Sequence, residues 1–384
     1  MNPLAAEWEQ ARSVLCVRMD TLGDVLMTTP AIRALKQTLP NARLTLLTSL
    51  PGAEPAPYIL EVDDVNVYEA PWMKASPVRA DSQYDRDFIE RLRGKFDAAV
   101  IFTVYSQSPL PAALLCSLAE IPLRLAHCRE NPYHLLTHWV PEPEPQTILR
   151  HEVRRQLDLV ASIGCITTDE RLSFHVPAKE QTCAAEKLAA AGVDRSRPWI
   201  ALHPGVSAPS RQYPPEGYAQ AARALAVEDG LQIVFTGSAG EIDLVERIRA
   251  EMGVPSFSLA GTLGLGELGG VLQQARLLLA NNTGPVHIAA GVGTPVVDLY
   301  ALTNPQHTPW GVPSQVLFHD VPCKFCYKSI CPEGHHHCLR LVAPREIVRA
   351  VRSFLSESGS HTKIHAPGTQ SAESSPLPLW REER

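Results

Sequence analysis

The sequence predicts an α/β protein of two lobes, each a parallel sheet covered by helices, and three observations carry that expectation. Short apolar runs alternate with helical stretches of about ten residues, the pattern of strand–helix–strand units. The alternation occurs twice, on either side of a break at residues 165–180. Polar, glycine-rich turns follow the apolar runs, at the strand ends where ligands of open parallel sheets bind. At 384 residues the chain also exceeds what one core usually holds.

In chain order, residues 14–18 read as a strand, 19–23 as a turn, and Asp24 opens a helical stretch broken by Pro30 and resumed over 31–38. Strands are expected at 44–48, 65–68 and 98–102, with an irregular segment at 71–85 and short helices at 88–93 and 109–119. After 123–126, the alternating prolines of 141–145 keep the backbone extended. Val153, Leu157, Leu159, Val160 and Ile163 then mark the apolar face of a helix over 151–163, which Gly164 ends.

The second half repeats the scheme. Strands are expected at 200–202, 231–236, 257–259, 277–280 and 295–300. Helices are expected at 181–191, 216–227, 241–252, 265–274 and 286–292. The reading divides the chain at 1–170 and 171–343, leaves a short helix at 344–355, and treats the Ser-, Pro- and Gly-rich residues 356–384 as a disordered tail.

Composition excludes several classes. A net charge of −6 supplies no basic field for neutralising nucleic-acid phosphates. No apolar run approaches the ~20 residues of a membrane span. The opening MNPLAAEWEQAR carries Glu and lacks an apolar segment, so no secretory signal is expected and a cytoplasmic location follows. Cys16, Cys116, Cys128, Cys165 and Cys183 lie mostly among apolar neighbours and read as buried thiols.

Four turns hold candidate chemistry. In NNTGPVH, the backbone N–H groups behind Thr283 and Gly284 and the imidazole of His287 open a helix, a ready phosphate site. The same residues also suit a plain strand–turn–helix joint. In HPGVSAPSRQYPP, Gly205 and Ser207 allow close backbone approach, and Arg211 offers a planar fork for phosphate or is an exposed loop arginine. In TGSAGEID, Glu241 follows Gly237 at a helix start, where it either serves the macrodipole or holds ribose hydroxyls. Asp24, beside Gly23 at the first helix start, is either a cap worth about 1 kcal/mol or a general base. Gly264, Gly266 and Gly269 match G-x-G-x-x-G, but no acidic residue follows at the offset a dinucleotide site needs.

Cys323, Cys326, Cys331 and Cys338 enclose His335, His336 and His337. Such a set suits a closed structural zinc or iron site. Packed or redox-labile thiols are the other reading, since disulfides are not expected in a reducing compartment.

Taken together these stretches resemble glycosyltransferase family nine, the ADP-heptose:lipopolysaccharide heptosyltransferases. The resemblance runs from VLCVRMDTLGDVLMTTPAIRALKQTLP through HPGVSAPSRQYPPEGY and FTGSAGEIDLVERI to NNTGPVHIAAGVGTPVVDLYALTNPQHTPWG. CKFCYKSICPEGHHHCL is similar to a cysteine-bearing segment of many members. The resemblance implies a GT-B fold: two Rossmann-like lobes with an interlobe cleft, acceptor on the first, nucleotide-sugar on the second. It also implies that the helix at 344–355 crosses back to the first lobe. Asp24 matches the general base, Ser207 and Arg211 the diphosphate-binding positions, Glu241 the ribose acid, and Thr283, Gly284 and His287 the phosphate-binding helix start. The family usually carries Asp where this chain has Asn282, which bears on the donor sugar. Inverting transfer without a catalytic metal is implied, from a nucleoside-diphosphate sugar to a lipid-linked glycan at the inner membrane surface. Arg86, Arg91, Arg93 and Lys95 could assist that contact or form a solvated face. A nucleotide-sugar epimerase or hydrolase on the same fold, or a non-catalytic binding protein, are the alternatives.

Overall fold

The computed structural model describes residues 4–74, 76–301 and 305–356. From residue 357 onward the tail expected to be disordered lies outside them. The first sheet contains β1 (Ser13–Arg18), β2 (Arg43–Thr48), β3 (Asp64–Val67), β4 (Ala98–Ile101), β5 (Leu123–Cys128) and β6 (His138–Pro141). The second contains β7 (Trp199–His203), β8 (Gln232–Phe235), β9 (Phe257–Ser258), β10 (Leu278–Asn281), β11 (Val296–Leu299) and β12 (Ser314–Leu317).

The strand orders are β3-β2-β1-β4-β5-β6 and β12-β11-β10-β7-β8-β9. Every pairing is parallel. Counted from its own first strand, each sheet therefore has the order 3-2-1-4-5-6 of doubly wound dinucleotide folds. The order reverses between β1 and β4 in one lobe and between β7 and β10 in the other. Those switch points are where such sheets open a crevice for ligands.

The helices are α1 (Leu22–Thr38), α2 (Leu50–Ala53), α3 (Gln83–Leu92), α4 (Leu110–Leu118), α5 (Glu152–Ala161), α6 (Ala178–Ala190), α7 (Pro215–Glu228), α8 (Ile242–Met252), α9 (Leu265–Gln274), α10 (Gly284–Val292), α11 (His337–Arg340) and α12 (Pro344–Ser356). The central strands are buried on both faces, which is why they read as continuous apolar runs. β5, β6 and β12 are the strands that the sequence reading did not assign, and β6 and β12 lie on sheet edges. Each has four residues that are half-buried or exposed, so neither carries an apolar signature.

Pro30 does not break the first helix, contrary to expectation, and α1 runs through it. The proline cannot donate to the Leu26 carbonyl one turn back. The Thr29 hydroxyl donates to that carbonyl instead, at 2.6 Å, and itself accepts the Ser173 N–H at 2.8 Å. One side chain thereby satisfies an orphaned acceptor and ties α1 to the segment between lobes.

The expectation that residues 344–355 cross back to the first lobe is overturned. Ile347, Val348, Ala350 and Val351 of α12 are buried in the second lobe's core with Leu225 of α7 and Leu299 of β11. Arg352 pairs with Asp229 and Glu228 just beyond α7. The apolar face of α12 finds its complement on its own lobe.

The lobes are joined by other means. One hydrophobic cluster runs without interruption from Val14, Val25 and Ile32 through Phe174 to Leu272, Val286 and Ala289. Trp310, in the loop after β11, belongs to it and donates its indole N–H to the Glu170 carbonyl at 2.8 Å.

Candidate active site

Two helix starts face each other between the lobes. β1 ends at Arg18, and Thr21 caps α1, so that Asp24 lies in the first turn rather than at the cap. Asp24 Oδ2 accepts from the Thr21 N–H at 3.2 Å and from the Thr21 hydroxyl at 3.0 Å. Its Oδ1 accepts from Arg18 Nη2 at 3.2 Å. Opposite, α10 begins behind Thr283 with Gly284 and Pro285 in its first turn. A Cβ on Gly23 would stand 2.7 Å from the His287 ring, and one on Gly284 would stand 3.3 Å from Leu22. The two starts are in contact, so the lobes are closed on each other here.

Arg18 is fully buried and serves three carboxylates: Asp20 at 3.0 Å, Asp24 at 3.2 Å and Glu152 at 2.8 Å. Burial alone would raise the pKa of Asp24. The Arg18 charge, His307 and the Thr21 hydrogen bonds outweigh it and hold Asp24 below the ordinary carboxylate range. Asp20 goes the other way: burial, only partly offset by Arg18, lifts it to about 6. Its Oδ1 also accepts from Gln107 Nε2 at 2.6 Å.

On the second lobe, Glu241 leans over the turn after β7. A Cβ on Gly205 would fall 1.8 Å from Glu241 Oε1, so any other residue there would displace that carboxylate. Gly237 lies beside the same carboxylate, with a built Cβ 3.5 Å from Oε2. Oε2 accepts the Ser238 N–H at 2.7 Å, which is the capping role, and stands 3.8 Å from His203 Nε2. Ser207 is exposed and Arg211 half-buried. Among the described residues Arg211 has no ion-pair or hydrogen-bond partner for its guanidinium, yet its charge acts on His287, His307 and Asp298. The neighbouring Ser210 is tied to the cysteine-bearing segment by Ser210 Oγ donating to the Lys328 carbonyl at 2.8 Å and Ser210 N–H to the Ser329 carbonyl at 3.1 Å.

Asn282 is buried, and its Nδ2 donates to Asp298 Oδ2 at 3.0 Å and to the His307 carbonyl at 2.9 Å. A carboxyl group is therefore present beside position 282, supplied by β11. Burial raises Asp298 to about 7, against the Asn282 bond and the Arg211 charge, and its Oδ1 has no partner among the described residues. Burial pushes His287 down to about 3, so its imidazole is neutral in the closed site, and its Nδ1 has no partner among the described residues.

The cysteine-bearing segment meets this centre only through the Ser210 bonds among the contacts described. Cys323, Cys326, Cys331 and Cys338 are half-buried and free, and Cys323 Sγ is 3.8 Å from His335 Nε2. Burial, then the neighbouring thiols of Cys331, Cys323 and Cys326, raise the Cys338 pKa. Among the described residues no three Cys, His, Asp or Glu side chains sit close enough together to hold one ion. Of the other five thiols, Cys183 is half-buried and the rest are buried. The basic set near α3 is largely engaged locally, Arg86 with Ser82 and Gln83 and Arg93 with Glu90 and Glu120.

Asp24, His287, Thr283 and Gly284 thus meet at the lobe boundary, Arg211 and Asn282 flank them, and Glu241 with Gly205 and Gly237 forms an adjoining corner. Sequence reasoning missed Arg18, Asp20, Glu152, His203, Asp298 and His307. A charged residue closing an apolar strand was the available signal for Arg18, and an acid inside the run VVDLY the signal for Asp298. Glu152 and His307 reach the site only through the packing of distant segments.

Comparison with known proteins follows the same lines. The model of glycosyltransferase family 9 (heptosyltransferase) matches residues 86–337. Lipopolysaccharide heptosyltransferase 2 of Escherichia coli is 24% identical over 364 residues, which cover 89% of this chain and 98% of that protein. A family 9 glycosyl transferase from Veillonella parvula superposes with a TM-score of 0.76 at 20% identity, covering 92% of this chain and 99% of the other. The E. coli ADP-heptose lps heptosyltransferase II superposes with a TM-score of 0.67 at 22% identity, covering 91% and 100%. The two superpositions extend over both lobes, and their fold is the GT-B fold.

Proposed function

The chain belongs to glycosyltransferase family 9, and from that premise we propose that it moves a heptose from an ADP-heptose to a lipopolysaccharide-core or related glycan acceptor, with inversion and without a catalytic metal. The observation that carries this reading is the opposition of Asp24 to the α10 start, with Arg211 close by and its guanidinium without a partner among the described residues. The names of the relatives support heptose and ADP as the donor's parts.

The first lobe receives the acceptor and the second the nucleotide-sugar, both after the lobes part. Glu241 takes the ribose hydroxyls, while Ser207, Arg211 and the backbone at Gly205 and Gly237 receive the diphosphate. An acceptor hydroxyl attacks the anomeric carbon from the face opposite the diphosphate, and Asp24 takes its proton. The bond to the β-phosphate oxygen breaks with its electron pair on that oxygen. Arg211, the His287 imidazole and the N–H groups at Thr283 and Gly284 stabilise the charge that develops there. Reclosure excludes water and limits donor hydrolysis. Asn282 and Asp298 border the sugar and select it.

No helix among the described residues is long and apolar enough to cross a membrane. A lipid-linked acceptor is met from the cytoplasmic side, at the inner membrane surface. The four thiols at 323–338 with His335 are the candidates for a structural zinc or iron but would have to draw together to hold it, and metal analysis of the purified protein checks it: less than a tenth of an equivalent would rule that site out.

The deciding experiment is transfer from ADP-heptose to heptose-less lipopolysaccharide, with and without EDTA, alongside calorimetric ADP binding. Transfer should survive the chelator. D24N should lower kcat by about 100-fold or more while ADP affinity stays within about threefold. Full activity in D24N removes the base, and ADP release without any acceptor would favour a hydrolase or epimerase.

A further inference from the structure

Three carboxylates meet one guanidinium behind the cleft, and the hydrogen bonds there decide which atom of Asp24 is left to react. An ionised carboxylate offers about four lone-pair sites. Thr21 fills those on Oδ2, through its N–H at 3.2 Å and its hydroxyl at 3.0 Å. Arg18 Nη2 fills one on Oδ1 at 3.2 Å. The remaining site is on Oδ1, and the Asp24 side chain keeps 17% of its surface exposed, whereas Arg18 behind it has none.

Arg18 is itself fixed from the far side. Its Nη1 donates to Glu152 Oε1 at 2.8 Å, and its Nε stands 3.0 Å from Asp20 Oδ2. Glu152 lies in the first turn of α5, where a carboxylate suits the macrodipole, and its side chain is fully buried. Gln156, one turn on, donates through Nε2 to the same Oε1 at 2.6 Å and to the Thr103 carbonyl at 2.9 Å. Glu152 thus ties the guanidinium to α5 and, through Gln156, to the chain leaving β4, the strand paired with β1. The other charged or titratable groups facing this set are His307 and His287 on Asp24, and Arg155 and His307 on Glu152, with Arg155 itself paired to Glu142. A guanidinium shared with no other acid would keep Asp24 ionised but make it a weak base. Glu152 and Asp20 take up part of that charge, so Asp24 keeps some affinity for a proton.

Resting on the transfer reading above, we propose that Arg18 and Glu152 are positioning residues that leave Asp24 Oδ1 as the proton-accepting atom: Arg18 turns the carboxylate, and Glu152 fixes Arg18 and shares its charge. The acceptor O–H breaks, its proton passing to Oδ1 as its oxygen bonds the anomeric carbon. The bond from that carbon to the β-phosphate oxygen breaks with its electron pair on the oxygen. The proton leaves Oδ1 to water once the products depart, which restores the carboxylate and its bond to Arg18.

Transfer measured against pH separates this role from a merely structural one. R18Q removes the cation and leaves Asp24 to the effect of burial. The acidic limb of kcat/KM should move up by about 1–3 pH units from native, and kcat at pH 8 should fall by about 10-fold or more. ADP affinity should stay within about threefold. R18Q/D20N carries one buried acid fewer, so it keeps the measurement possible where R18Q does not fold, and its limb should stand where that of R18Q does. E152Q keeps the shape and an acceptor for Nη1 but not the charge; it should lower kcat by about threefold or more without raising the limb. Melting curves establish which variants are folded. An unmoved limb in a folded Arg18 variant, a shift that disappears with Asp20, or native kcat in E152Q would each overturn the proposal. Native-like transfer by D24N would instead remove the base reading, and this step with it.

Discussion

Asp298 is an acid whose charge state is set by its burial. It is fully buried, one oxygen accepts from Asn282 and the other has no partner among the described residues. Its folded pKa of about 7 exceeds the ordinary 3.8, so the native state resists losing that proton. Stability from the protonated form is therefore fully present below about 3.8, declines as pH rises toward 7, and stays lost above it. D298N keeps an acceptor for Asn282 but cannot ionise. Its melting midpoint should draw ahead of native between pH 4 and 7 and then run parallel; a gap constant across that range would show that Asp298 is charged throughout. Asp24 has the opposite sign. Held below the ordinary carboxylate range, it is ionised at pH 5, and kcat/KM should not lose its base as pH falls from 7 to 5. Both acids were visible as letters, but their opposite titration comes from Arg18 beside one and apolar burial around the other.

At the scale of elements, α1 shows why a proline is a poor guide to a boundary. Thr29 replaces the donor that Pro30 lacks and receives Ser173 on its other side. T29V has nearly the same shape and removes both bonds. It should cost about 1–3 kcal/mol through the two orphaned groups, read as a lower urea midpoint with unchanged slope. An unaltered midpoint would mean that water replaces the hydroxyl. α12 teaches a related lesson: its amphipathic spacing was legible, but not which lobe its apolar face would cover. I347A tests the placement. It should cost about 2–5 kcal/mol, and since Ile347 packs in the second lobe's cluster, that lobe should lose amide protection first.

At the scale of the molecule, closure is held by side chains far apart in sequence. Trp310 reaches Glu170 and packs on His151, while Gly23 admits His287 at a distance no Cβ would allow. W310A removes two cross-lobe contacts and leaves Asp24 and Arg211 untouched. Small-angle scattering should show a larger radius of gyration for the free variant than for native protein, with ADP restoring the compact form and the donor KM raised. Identical radii and KM would place the closing force elsewhere. Ligand affinity and lobe closure are linked, because closed lobes must part before a ligand can bind between them.

Local chemistry in the sequence determined the two-fold βαβ alternation and the turns at the switch points that carry Asp24, Arg211, Glu241 and His287, because periodicity and turn residues act over a few positions. The edge strands, the docking of α12, the buried Arg18–Glu152 pair and the approach of His307 to Asp24 were decided by tertiary packing alone. Each depends on segments far apart in the chain that meet only in the folded protein, and a residue's charge and partner are properties of that meeting.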